Sequence, residues 1–260
     1  MPITAGKWLL FVGDSITATG ANEGGFAWFD GPGGLLDQLE GIWGAPPTAA
    51  KTTGTVAAGT IAPIVTGEVG IVTATVPGYK TVAVSSLGQS GANSTALATL
   101  VGTAIQLVPT YTVPIVILEG GINDAAEIQG GSRTIAQYIA GKDSQYAQIL
   151  ARWPTAMIID LSCLCKGEEW AAGPVWNNTV FPFDTQIEDV DDETQIKVAA
   201  TAGAVYVNNR DALLVWEAVN NPGMASEGFA VIIDGTAVHP TFAGMILMGQ
   251  TFITDVGVTP

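Results

Sequence analysis

An apolar run from Trp8 to Val12 ends abruptly at Gly13-Asp14-Ser15, so that a buried segment finishes by presenting a hydroxyl. A serine alcohol is a poor nucleophile until a neighbouring base removes its proton, and imidazole suits that task near neutral pH. The chain has a single histidine, His239, in the stretch Asp234-Gly-Thr-Ala-Val-His-Pro240. Two further segments offer complementary groups: Gly88-Gln-Ser-Gly91-Ala-Asn-Ser94 supplies glycine N–H donors, and Gly120-Gly-Ile-Asn123-Asp124 supplies a side-chain amide. A carbonyl under attack develops a negative oxygen, and each preorganised donor aimed at it lowers the barrier by about 3 kcal/mol. The backbone N–H of Ser15 adds another donor.

These segments are useful only if something brings them together. Short apolar runs alternate with longer stretches of helical period, the pattern of a parallel sheet covered by helices on both faces. Strands are expected at Trp8 to Val12, Thr81 to Ser85, Pro114 to Leu118, Ala156 to Leu161 and Ala204 to Val207. Leu97, Leu100, Val101, Ala104 and Val108 share a helix face, as do Ile135, Tyr138, Ile139, Tyr146, Ile149, Leu150 and Trp153. A last helix is expected after His239-Pro240, with Phe242, Met245 and Ile246 on one face. In an open parallel sheet, residues just past the carboxyl ends of the strands share one rim, and ligands bind there where strand order reverses. Ser15, Gly91 and Asn123 each follow an expected strand and so can converge.

Two segments break the alternation. Residues from about 44 to 80 are rich in Thr, Val, Ala, Gly and Pro, which suggests short strands or a hairpin. Residues 166 to 191 hold Trp170, Trp176, Phe181, Phe183 and several acids, which suggests a long loop over one end of the sheet. Both read as insertions in a single domain spanning 1–260.

Composition narrows the partners. A formal charge of −15 repels nucleic acid and anionic lipid. No apolar run reaches the roughly 18 residues of a membrane helix, and no signal-peptide pattern stands at the N-terminus, so a soluble chain of unassigned compartment is expected. Cys163 and Cys165 are too close for an unstrained bridge and read as small thiols near a strand end.

The four segments, in this order, resemble the blocks of the SGNH, or GDSL, hydrolase family: Ser15 in Gly-Asp-Ser, Gly91 in the second block, Asn123 in Gly-x-Asn-Asp, and His239 near the C-terminus. The resemblance covers nearly the whole chain. It implies an α/β fold of three layers, flavodoxin-like, with a central parallel five-stranded sheet. It also implies Ser15 as nucleophile, His239 as general base, and Ser15, Gly91 and Asn123 as oxyanion donors, with no metal or organic cofactor. Gly88 lies close enough to Gly91 to be the alternative donor. The family places an Asp three residues before the His, where this chain has Thr236; Asp234 takes that role if Thr236-Ala237 bulge outwards, and otherwise a backbone carbonyl orients the imidazole. Asp14 and Asp124 are assigned to holding loops through backbone N–H groups.

Ester hydrolysis is the implied chemistry, and an acetylated carbohydrate is the first choice of substrate because Trp28, Trp170 and Trp176 lie where sugar rings can stack. A broad short-chain carboxylesterase or thioesterase is the alternative. A non-catalytic carbohydrate-binding or virion-associated domain is the reading from another class, favoured by the altered Asp spacing.

Overall fold

The computed structural model describes residues 8–18, 27–29, 31–43, 54–56, 83–106, 108, 113–163, 182–220 and 239–258. The sheet consists of β1 (Trp8–Gly13), β2 (Gly54–Val56), β3 (Ala83–Gln89), β4 (Ile115–Leu118), β5 (Met157–Leu161) and β6 (Ala204–Val207) in the order β2-β3-β1-β4-β5-β6. All neighbours run parallel. Five of these strands form the expected sheet, and the three-residue β2 extends it at one edge. Without β2 the order is flavodoxin-like: the chain steps from β1 to one side, returns across it, and continues on the other, so the crevice falls beside the carboxyl end of β1.

Alternation within the strands divides the core between two faces, because successive side chains of a strand point to opposite sides. Leu9, Phe11, Ile115, Ile117, Met157 and Ile159 pack with α1 (Leu35–Trp43) and α7 (Phe242–Val256). Leu10, Val12, Val116, Leu118 and Ile158 pack with α2 (Ser94–Ala104) and α4 (Ile135–Arg152). Leu213 of α6 (Asn209–Asn220) joins the first face. Because both faces are covered, the strands read as continuous apolar runs instead of alternating ones.

Three boundaries differ from the sequence reading. Strand β3 runs through Ser85 and Ser86 to Gln89, because its pairing with β1 extends to Gly13 opposite Gly88. Residues 182 to 191 belong to a helix, α5 (Pro182–Ala199), and not to a loop. Its buried stripe of Ile187, Val190, Thr194 and Val198 is obscured in the sequence by intervening acids. Helix α7 begins at Phe242, two residues later than a helix with Pro240 at its first position would, because Thr241 caps it by accepting the Gly244 N–H at 3.3 Å. The remainder of the two insertions lies outside the described residues, as does Cys165. Cys163 is buried just past β5.

Helix α5 is fastened to the sheet by a buried acid. Asp191 Oδ1 accepts the Cys163 N–H at 2.6 Å. Burial raises the Asp191 carboxyl to about 7, with the Cys163 N–H, Arg210 and Lys142 opposing the rise and Asp211 adding to it. The native state therefore binds a proton that the unfolded chain gives up near its ordinary carboxylate value, and this contribution to stability declines as pH rises towards about 7. Asp191→Asn keeps the acceptor oxygen without the charge. Its urea midpoint should fall less than the wild type's between about pH 5 and about pH 8; parallel curves would show that Asp191 does not carry the titration.

Candidate active site

Ser15 sits in the tight turn that follows β1. The turn is shaped by Asp14, whose Oδ1 accepts the Ile16 N–H at 3.0 Å, and is closed by an Ala18 N–H to Asp14 O bond of 2.9 Å. A second strand presses against it from one side. A Cβ on Gly88 would stand 2.4 Å from Ala18 N and 2.7 Å from Thr17 C, so only glycine lets β3 approach the turn this closely. Gly88 thus serves close packing, while Gly91, at φ 73°, lies beyond the strand on the exposed rim.

The two distant ends of the chain meet at this turn. His239 Nε2 lies 2.9 Å from Ser15 Oγ across 224 positions of sequence. With the ring proton on Nδ1, the serine hydroxyl donates to Nε2, which is the arrangement a proton transfer requires. Ser15 is mostly buried and His239 partly so. Thr241 and Pro240 place the imidazole directly before the α7 cap.

The third and second blocks join through Asn123, in the first turn of α3 (Ile122–Gln129). Its Nδ2 donates to Asp14 Oδ2 and to Ala92 O, each at 3.0 Å. One carboxylate therefore holds both the serine turn and the amide expected to serve as an oxyanion donor. Both amide protons are engaged in this arrangement, so an incoming oxyanion must share one of them. The Ser15 and Gly91 N–H groups have no hydrogen-bond acceptor among the described residues.

Behind Asn123, Asp124 accepts the Ser94 N–H at 2.7 Å and the Ser94 hydroxyl at 2.8 Å, and it pairs with Arg133 Nε at 2.6 Å. This locks the start of α2 to α3, which is the structural role expected of Asp124. Burial pushes its carboxyl up, while Arg133 and the Ser94 donors pull it down. Arg133 also reaches the hydroxyls of Ser94 and Thr95.

Trp28 is a correction. Instead of flanking the rim as a sugar-stacking surface, it is fully buried, edge-on to Phe11 and Phe29 at centroid distances of 5.9 Å each. Its backbone N–H donates to Ile16 O at 3.1 Å, so it buttresses the serine turn from below. Asp234, Trp170 and Trp176 lie outside the described residues. Sequence reasoning missed Glu119, Thr17 and Arg133; for Glu119 the available signal is an acid placed directly after the apolar run Ile115–Leu118. Among the described residues, no group of three or more His, Cys, Asp or Glu side chains is arranged to hold a metal ion.

Solved structures with this arrangement of elements cover nearly the full chain. An acetylxylan esterase from Geobacillus stearothermophilus superposes with a TM-score of 0.55 at 19% identity, over 99% of this chain and 97% of that one. A member of the lipolytic protein G-D-S-L family from Veillonella parvula gives 0.56 at 13% identity, over 97% of each chain. The chain shares the fold of these structures. A lipase/acylhydrolase from Enterococcus faecalis gives 0.57 at 14% identity, over 96% of this chain and 95% of that one. No family model matches the sequence, and no curated protein matches it. The likeness to these structures is therefore one of fold.

Arg133→Met should remove the charge that compensates buried Asp124 and cost roughly 3–5 kcal/mol, read as a lowered urea midpoint. A loss under about 1 kcal/mol would place Arg133 among surface-type pairs.

Proposed function

We propose that this chain is a serine carboxylic ester hydrolase that removes small acyl groups, acetyl first, from carbohydrate. The reading rests on the 2.9 Å approach of Ser15 Oγ and His239 Nε2. Ser15 Oγ attacks the ester carbonyl carbon as its proton passes to His239 Nε2, and the carbonyl π electrons move onto oxygen. The N–H groups of Ser15 and Gly91, with the Asn123 amide sharing the proton it gives Ala92, receive that oxyanion. Collapse breaks the C–O bond to the alcohol, which leaves with the imidazolium proton. Water then attacks the acyl-serine with His239 again as base, releasing the acid and restoring Ser15.

Asp234 is assigned to the third position, where it orients the imidazole and stabilises its cation. Acetylated carbohydrate is favoured by the acetylxylan esterase among the structural neighbours and by Trp170 and Trp176, which remain candidates for stacking on sugar rings. No helix among the described residues is long and apolar enough to cross a membrane.

Hydrolysis of p-nitrophenyl acetate should fall by about four orders of magnitude in Ser15→Ala, and by a similar factor in His239→Ala, because the two act as a unit. Equal rates in wild type and Ser15→Ala would favour a binding module. Acid release from acetylated xylan, acetylated chitooligosaccharides and acyl-thioesters then ranks the substrate classes, with the acetylated carbohydrates expected first.

A further inference from the structure

Beneath the serine turn lies a second acid that the reaction above does not use. Glu119 follows β4 directly, is 2% exposed, and anchors its own backbone N–H on Val12 O at 3.0 Å. Its Oε2 accepts the Asp14 N–H at 3.2 Å and the Thr17 hydroxyl at 3.0 Å. The space it fills exists because residue 13 is glycine: a Cβ there would stand 2.7 Å from Glu119 Oε2 and 2.2 Å from Thr17 Oγ1. The Glu119 carboxyl therefore lies against the backbone of Asp14, whose own carboxyl is fully buried.

Asp14 has both oxygens committed as acceptors, one to the Ile16 N–H and one to the Asn123 amide. Two adjacent carboxyls in a fully buried site cannot both be charged. The surrounding charges add to this constraint. Asp124 on α3 adds negative potential, and the Cys163 thiol past β5 is itself pushed up by burial and by the acids Asp191, Asp14 and Glu119. Arg133 is paired with Asp124, and Lys142 of α4 with Asp160 of β5 at 2.7 Å. His239 lies 2.9 Å from the hydroxyl of Ser15, the residue after Asp14. Thr17 is neutral.

We propose that Glu119 is a positioning residue kept as a neutral carboxylic acid, which gives its proton to the Asp14 carboxylate and thereby fixes the serine turn and the Asn123 amide in one arrangement. A neutral acid is both donor and acceptor, as this position demands: it donates towards Asp14 while accepting from the Asp14 N–H and Thr17. Burial, then the Asp14 charge, hold the Glu119 carboxyl well above its ordinary range. Burial raises Asp14 only to about 6, because the Ile16, Glu119 and Asn123 hydrogen bonds favour its charged form. On this proposal the neutral form of Glu119 persists at neutral pH and is lost as pH rises through the raised value of its carboxyl. Beyond that point two buried charges repel, and the serine turn loosens.

The kinetic consequence rests on the ester hydrolase reading, whereas the protonation state does not. Infrared difference spectroscopy of wild type against Glu119→Gln at about pH 7 should show a protonated-carboxyl C=O stretch that vanishes in the variant. Glu119→Gln, which keeps a donor and an acceptor, should retain wild-type kcat at about pH 7 and lose the wild type's decline on the alkaline side. Glu119→Leu should lose about 100-fold in kcat with little change in KM. A carboxyl band unchanged in Glu119→Gln, or a Gln variant as impaired as the Leu variant, overturns the proposal. If no ester is hydrolysed by wild type, the infrared result still decides the proposal while the functional reading fails separately.

Discussion

The Asp14 carboxylate is the hinge on which the site depends. Through one oxygen it bends the backbone after β1 so that Ser15 projects from the turn, and through the other it holds the Asn123 amide carried in on α3. A charge buried this deeply is tolerated only because each oxygen has a donor and because the neighbouring acid has taken up a proton. The surrounding glycines follow from the same constraint. Gly13 makes room for Glu119 and Gly88 lets β3 close on the turn, so two strand ends can crowd one carboxyl.

The parallel sheet supplies what no local sequence could. Three turns at the carboxyl ends of β1, β3 and β4 lie side by side because those strands are hydrogen-bonded neighbours in register, with β1 in the centre. Helix α7, packed on the opposite end of the chain's path against α1 and α6, then returns His239 to the same rim. Ser15 and His239 thus meet through packing of the first core face, including Met245, Met248 and Phe252 against Leu35 and Trp28. Anything that lets α7 slide would separate the pair while leaving the sheet intact.

Much of this was legible in the residues themselves. The runs of β1, β4 and β6 carry no charged residue and that of β5 only Asp160, so their positions follow directly from hydropathy. Strand β3 was expected to end at Ser85 because Ser86, Gly88 and Gln89 look like loop residues, and only pairing with β1 and β2 reveals them as strand. Helix α5 was hidden for a related reason: Glu188, Asp189 and Asp192 face outward around the Ile187, Val190 and Val198 stripe, and the buried Asp191 interrupts the apolar side. The meeting of Ser15 and His239 was readable from the order of the four segments and not from either residue alone, since a serine in a turn and a histidine in a loop are common. Trp28 was misread because aromatic residues pack in cores and on sugars alike, and the sequence carries no signal for which. Glu119 could not be given a role, since the meaning of a buried acid depends on what lies beside it.

The central claim is that Ser15 is activated by His239. Stoichiometric labelling with a fluorophosphonate, followed by peptide mass spectrometry, tests it most directly because the reagent needs an activated nucleophile but no matching substrate. The account predicts one adduct per chain, on the peptide bearing Ser15, formed rapidly in wild type and very slowly in His239→Ala. An adduct on another residue, or labelling of Ser15 at the same rate without the imidazole, would contradict it.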